Sequence, residues 1–198
     1  MSPTGPRPVL VVFEGLDGAG KTTLARMTAE ALDAELMTTP SPQVRRYRDE
    51  LIASFAGCQE AGQLFYLATV FAASAEVRAQ LAAGRSVVLD RYFLSTQAYA
   101  VFRGSSLAVD HLGALLVPAD LTVFVHAPLE IRLARLALRG ATAADRETMA
   151  PAADARLRAE HEQRLGLPVV GRALRLDSST EPLEALVATI LAALRAIR

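Results

Sequence analysis

Lysine is nearly missing from this chain. Of its 21 basic residues only Lys21 is a lysine, and every other one is arginine. Cysteine is equally scarce: Cys58 stands alone, which excludes an intramolecular disulfide and any metal site built on a cysteine cluster. There is no net charge, 21 basic residues being matched by 21 acidic ones. Nucleic-acid binders usually carry a basic excess, so no nucleic-acid partner is expected. No apolar run approaches the roughly 20 residues that a membrane-spanning helix needs. Residues 1–8 lack a signal-peptide pattern and read as a lead-in to the first strand, so a cytoplasmic location is expected. What remains is a 198-residue chain, 52% hydrophobic, of a size for one domain with a substantial core. It shows no internal repeat and no linker.

The one lysine sits in the most informative stretch. A valine-rich run over residues 9–13 gives way to a glycine-rich turn and then to a helix-forming segment, residues 24–32. Gly15 to Thr22 matches the phosphate-loop pattern G-x-x-x-x-G-K-[ST] at each fixed position. A buried strand brings the chain to a fixed point, and glycines let backbone N–H groups turn toward one centre. The helix N-terminus adds partial positive charge for an anion. Lys21 adds a full charge for the outer phosphates, and the Thr22 hydroxyl is placed to ligate Mg²⁺. A compact ammonium fits between phosphate oxygens where a planar guanidinium does not, which explains a lysine in a chain that otherwise writes arginine.

Further along, apolar runs alternate with helix-like segments. Strands are expected over residues 34–39, 86–90, 120–126 and 173–177, with helices over 21–32, 60–83, 93–103, 106–117, 152–165 and 182–196. Pro128 opens an arginine-rich helix with Arg132, Arg135 and Arg139, and residues 141–150 read as a mobile loop. Continuous apolar strands alternating with helices predict an α/β fold: a five-stranded parallel sheet with helices on both faces, a three-layer sandwich of the P-loop NTPase kind. Residues 1–198 form one domain in this reading, with a lid at about 139–150. Ligands belong beyond the carboxyl ends of the strands.

The strand at 87–89 ends in Asp90-Arg91-Tyr92, followed by Ser95, Ala98 and Tyr99. An aspartate at such a strand end can hold Mg²⁺ or its waters, and an arginine beside it offers donors to a transferring phosphoryl group. With these motifs the chain resembles the thymidylate kinase family of nucleoside monophosphate kinases. Residues 13–23 are similar to its opening motif and Asp90 to Tyr99 to its second. Asp145-Arg146-Glu147 after the arginine helix resembles its lid, and residues 176–184 its last strand and adenine-side loop. The resemblance implies ATP and Mg²⁺ as cofactors. Gly15, Gly18, Ala19, Gly20, Lys21, Thr22 and Thr23 would bind ATP, with Arg139, and Thr22 and Asp90 would serve the metal. Lys21, Asp17, Arg91 and Arg146 would carry catalysis. Because Ala19 is not basic, the family pattern puts a catalytic arginine in the lid, Arg146 first and Arg139 second. Asp17, Phe65, Arg91, Ser95 and Tyr99 would face the acceptor.

The acceptor half departs from the family. Thr38-Thr39-Pro40-Ser41-Pro42 replaces Arg-Glu-Pro-Gly-Gly-Thr, and Thr69 stands where an arginine follows the base-stacking aromatic, here Phe65. Arg45, Arg46 and Arg48 are substitute phosphate contacts or a solvated helix face. The expected reaction is phosphoryl transfer from ATP to a nucleoside monophosphate, dTMP being the named acceptor. Two alternatives stand beside it: a kinase of a modified nucleotide, nucleoside or other small molecule, and a P-loop ATPase switch or binding module. Family members commonly dimerise through helices beside the sheet, which leaves residues 60–83 as either a homodimer face or a core helix.

Overall fold

The computed structural model describes residues 7–140 and 146–197. Five strands, β1 Leu10–Glu14, β2 Glu35–Thr38, β3 Val87–Asp90, β4 Leu121–His126 and β5 Arg172–Asp177, form one sheet in the order β2-β3-β1-β4-β5. Every neighbouring pair is parallel. The helices that matter below are α1 Lys21–Leu32, α2 Pro42–Arg45, α3 Arg48–Ser54, α4 Gln59–Ala82, α5 Phe93–Phe102, α6 Leu129–Arg139, α7 Pro151–Glu162 and α8 Leu183–Arg195. This is the α/β sandwich that the alternating pattern predicts.

The sheet explains why its strands read as unbroken apolar runs: both faces are covered. Leu10 and Val12 pack with Leu67, Val70 and Val77 of α4. The alternate residues Val9, Val11 and Phe13 pack with Leu24 and Ala29 of α1 and with Leu186 and Ile190 of α8. Strand periodicity thus splits one segment between two hydrophobic layers. Burying each such aliphatic side chain is worth about 1.5–3 kcal/mol, so the central strands are the rigid part of the molecule. The edge strand β2, with Glu35 and Leu36 exposed, contributes less.

Register then levels the strand ends. Phe13 and Thr38 both lie opposite Asp90, and the chain runs on past this line with Arg91 N–H bonded to Phe13 O at 2.9 Å and Thr39 N–H bonded to Asp90 O at 3.1 Å. Glu14, Asp90 and Arg91 therefore emerge together at the carboxyl edge beside the turn into α1. Chain order reverses at β1, which lies between β3 and β4, and this is where open α/β sheets leave a crevice.

One segment differs from the sequence expectation. Residues 106–117 form only a 3-10 turn, Asp110–Leu115, rather than a helix. Ser105 Oγ donates to Gln63, while Ser106 donates from its N–H and hydroxyl to Glu60 at 3.0 and 2.8 Å. These bonds to α4 hold the backbone open. Before α4 the chain forms two short helices, α2 and α3, separated at Arg46 and Tyr47. Of the loop expected over residues 141–150, residues 141–145 lie outside the described residues.

One turn depends on glycine. Gly171 enters β5 with φ +60°, and a Cβ there would collide with the carbonyl oxygen of Ala119. Gly171→Ala is expected to cost about 3 kcal/mol or more of folding stability, a strained-backbone effect compounded by the clash, read as a lowered urea midpoint.

Candidate active site

The phosphate loop is shaped by what surrounds it. Gly15 has φ +130°, and a Cβ on it would strike the carbonyl oxygen of Val125 in β4; Gly18 at φ +77° backs onto Arg132 and Leu136 of α6. Gly20, at φ +91°, is the N-cap of α1 and supplies no side-chain cap, and the first turn holds no acidic residue. The leading N–H groups of α1 thus have no anionic partner from their own turn, which suits them to an anionic ligand. Lys21 is buried, with Nζ 2.7 Å from the carbonyl oxygen of Leu16. Burial and the nearby Arg91 depress its pKa to about 8, against the pull of Asp17, Asp90 and Glu14. An ammonium held at that cost gains most from a phosphate.

Next to the loop, the Thr22 hydroxyl donates to Asp90 Oδ2 at 2.5 Å, so a residue at the start of α1 meets the end of β3. The other carboxylate oxygen of Asp90, Oδ1, is buried without a hydrogen-bond partner. Arg91 takes φ +70°, a left-handed conformation unusual for arginine, and this turns its side chain back over the loop. Its guanidinium pairs with Asp17, donates to Ser95 Oγ at 2.9 Å and reaches the Gly15 carbonyl at 3.4 Å. The Tyr99 hydroxyl donates to the second Asp17 oxygen at 2.6 Å. Burial opposes the charge on Asp17, but Arg91, Lys21 and the Tyr99 hydroxyl outweigh it and hold the carboxyl well below the usual range. Arg91 is likewise opposed by burial and raised by Asp17.

Beneath these groups lies Glu14, fully buried at the end of β1. It accepts from the amides of Tyr92 at 2.9 Å and Ser95 at 3.1 Å, and from the Ser95 hydroxyl. A carboxylate from β1 thereby caps α5, whose own N-cap residue, Tyr92, makes no side-chain capping bond. Burial raises the Glu14 pKa, while Ser95 and Arg91 counter it. Ser95 is thus occupied by Glu14 and Arg91 within the protein.

The loop is also tied from outside. Arg132 of α6, 2% exposed, donates from Nε to the Asp17 carbonyl at 2.7 Å and pairs with Asp154 of α7, itself 5% exposed. Arg135 bonds Ser178 Oγ and O, both at 2.8 Å, and the Ser178 hydroxyl donates to the Ala19 carbonyl at 2.7 Å. None of Glu14, Arg132, Asp154, Arg135 or Ser178 was singled out as a site residue from sequence. The only signal was the arginine spacing of three and four residues along α6, which sequence reading assigns to a lid.

A cleft of about 510 Å³ opens over the loop, lined by Asp17, Gly18, Gly20, Lys21, Thr22, Thr23, Arg91, Arg135, Arg139, Ser178, Glu181, Pro182 and Leu183. Of the ATP-side candidates it gathers all but Gly15 and Ala19, which are held in the turn beneath. Arg139 lines it; Arg146 is exposed and does not. Phe65, Ser95 and Tyr99 lie outside the lining. Phe65 packs on Phe55 and Tyr66, with ring centroids 6.2 and 5.2 Å apart, and the Thr69 hydroxyl is spent on the Tyr66 carbonyl at 2.7 Å. Arg45 bonds Thr38 at 2.8 Å, and Arg48 pairs with Asp49. Among the described residues no group of three or more His, Cys, Asp or Glu could hold a metal ion.

A glycine loop, an uncapped helix start and a buried lysine at the switch point of a parallel sheet define a P-loop nucleotide-binding protein. Within that class the chain belongs to the thymidylate kinase family, whose model matches residues 13–181. It is 33% identical over 146 residues to the thymidylate kinase of Rhodopseudomonas palustris strain TIE-1, an alignment covering 65% of this chain and 63% of the relative. The chain thus spans under two thirds of the length of the curated relatives it first matches. Its fold is similar to thymidylate kinase structures from Candida albicans, with a TM-score of 0.74, 20% identity and coverage of 98% of this chain and 93% of the other, and from Ehrlichia chaffeensis, with a TM-score of 0.72, 20% identity and coverage of 96% and 100%.

Three outcomes follow from this geometry. Lys21 titrates near pH 8 in the free protein and near 10.5 as an ordinary lysine. Phosphates around it restore the charge, so nucleotide binding should take up a proton between those pH values and weaken as pH rises through about 8; calorimetry in buffers of different ionisation heat measures this uptake. In the same window the unfolded chain binds more protons, so the Lys21 contribution to stability of the free protein rises with pH. Asp154→Ala leaves Arg132 buried and unpaired, and should lower stability by about 3–5 kcal/mol in urea unfolding.

Proposed function

We propose that this chain transfers the γ-phosphoryl group of ATP to a nucleoside monophosphate, with dTMP as acceptor and dTDP and ADP as products. The observation that carries the reading is the Asp17–Arg91–Tyr99 cluster at the lip of the phosphate loop. A loop alone binds a nucleotide; a guanidinium beside it, held between donor and acceptor sides, serves transfer to a second phosphate.

The amides at the start of α1 and Lys21 hold the donor phosphates, and Arg139 adds charge from the opposite wall. Arg91 lies where it can neutralise the transferring group. A monophosphate acceptor is already nucleophilic, so no general base is needed and catalysis consists of positioning and charge neutralisation. Asp17, kept ionised, accepts a hydrogen bond from the acceptor's sugar. The Thr22 hydroxyl and the unpartnered Asp90 oxygen fit Mg²⁺, as an orphaned buried carboxylate oxygen beside a hydroxyl suits a hard cation. Bound there, Mg²⁺ would neutralise phosphate charge.

A second reading, an altered acceptor, is favoured by Thr69 and by the absence of the family's Arg-Glu-Pro run after β2. A homodimer through α4 is supported by its exposed Leu64, Ala68, Ala72 and Ala75. No helix among the described residues is long and apolar enough to cross a membrane, in keeping with a cytoplasmic enzyme.

The test is a coupled assay with ATP and Mg²⁺ against dTMP, dUMP, other monophosphates and free nucleosides. Turnover of dTMP is expected, with Lys21→Ala and Arg91→Ala each lowering kcat by about a hundredfold or more. Turnover of another acceptor with dTMP at background selects the second reading, and ATP hydrolysis unaffected by any acceptor sinks both.

A further inference from the structure

Arg103, the residue that ends α5, makes a two-pronged ion pair with Glu147, Nε at 3.1 Å and Nη2 at 2.8 Å. Its guanidinium carbon lies 5.4 Å from the centre of the Tyr99 ring, the same distance as that of Arg91. Tyr99 is therefore flanked by two guanidiniums, while its hydroxyl is bonded to Asp17 and its ring meets His161 edge-on at 6.2 Å. An unbroken line of contacts runs from Glu147, on the segment between α6 and α7, through Arg103 and Tyr99 to the carboxylate at the lip of the phosphate loop.

The chemistry of each link is directional. A carboxylate that takes both an Nε and an Nη of an arginine fixes the plane of the guanidinium as well as its place. A guanidinium over a tyrosine is attracted by the ring, so the position of one constrains the other. The pair is partly solvated, with side-chain exposures of 28% and 37%. Such pairs add little to stability, which leaves orientation as their main consequence. Without Glu147, Arg103 is a long flexible cation at a helix end and Tyr99 loses one of its two fixed neighbours.

We propose that Glu147 and Arg103 are positioning residues for the phosphoryl acceptor: Glu147 orients Arg103 over Tyr99, and Tyr99 so held keeps its hydroxyl on Asp17. The inference rests on the proposed function in taking Asp17 as the acceptor-facing carboxylate. It assigns acceptor affinity to two residues that touch neither the loop nor the cleft.

Kinetics of the full chain test it. Glu147→Ala and Arg103→Met should each raise the KM for dTMP about tenfold, with the KM for ATP changed by less than about twofold, and the double variant should add little to either single one. The exchanged pair, Arg103→Glu with Glu147→Arg, re-forms an ion pair but puts a carboxylate over Tyr99, and should not restore acceptor KM. Restoration by the exchange, equal changes in both KM values, or no change would overturn the proposal. If the wild-type chain turns over no monophosphate, the proposed function fails, and the line of contacts is read instead from unfolding in urea. Glu147→Ala and Tyr99→Leu should then be non-additive by about threefold or more in the unfolding constant, and additive once Arg103 is Met. Additivity with Arg103 in place would overturn it.

Discussion

A carbonyl of β4 and the glycine that follows β1 compete for the same space. The Val125 oxygen occupies the volume that a Cβ on Gly15 would need, so the chain can leave β1 and turn under its neighbour only as glycine. That close approach sets where α1 begins, and the start of α1 sets where its uncapped amides point. Because β1 is buried on both faces between β3 and β4, the turn has no freedom to relax. The phosphate site is a consequence of packing backbone against backbone at the centre of the sheet.

Charge is then assembled around this fixed point in layers. Lys21 comes from the loop itself, Asp90 and Arg91 from the next strand over, and Asp17 and Tyr99 meet across 82 residues of sequence. Further out, Arg132 and Arg135 hold loop carbonyls, and Asp154 holds Arg132. Cations and anions alternate so that each buried charge has a counterpart, which low-dielectric surroundings require. Lys21 and Glu14 are exceptions: burial and Arg91 lower the Lys21 pKa in spite of its acidic neighbours, and burial raises that of Glu14. The arrangement is stable enough to fold and is left short of negative charge where phosphates belong.

Arginines in α6 show how a local pattern misleads about role. Spacings of three and four residues put Arg132, Arg135 and Arg139 near one face and invite one function for all three. In the structure Arg132 is buried scaffold, Arg135 bridges the loop to Ser178, and Arg139 lines the cleft. The burial of one arginine and the exposure of another depend on which partner helix lies opposite, here α7 with Asp154, and helix periodicity carries no information about that. Similarly, Ser95 of α5 reads as an acceptor contact by its motif position, and Glu14 of β1 engages its hydroxyl.

Sequence alone determined the parts whose physics is local. Alternating apolar runs fix a parallel sheet because only two-sided burial tolerates them, and the glycine-lysine-threonine pattern marks an anion site because backbone turns and a helix start are short-range structures. The 3-10 turn in place of a helix after α5, the capping of α5 by Glu14, the Arg132–Asp154 tie and the line from Glu147 to Asp17 were decided only by tertiary structure. Each pairs groups from separate elements, between 22 and 81 residues apart for the first-order contacts Arg132–Asp154 and Glu14–Ser95, and no window of sequence contains both partners. The phosphate loop is local and legible in sequence; the contacts between elements that hold Asp17, Arg91 and Tyr99 together are not.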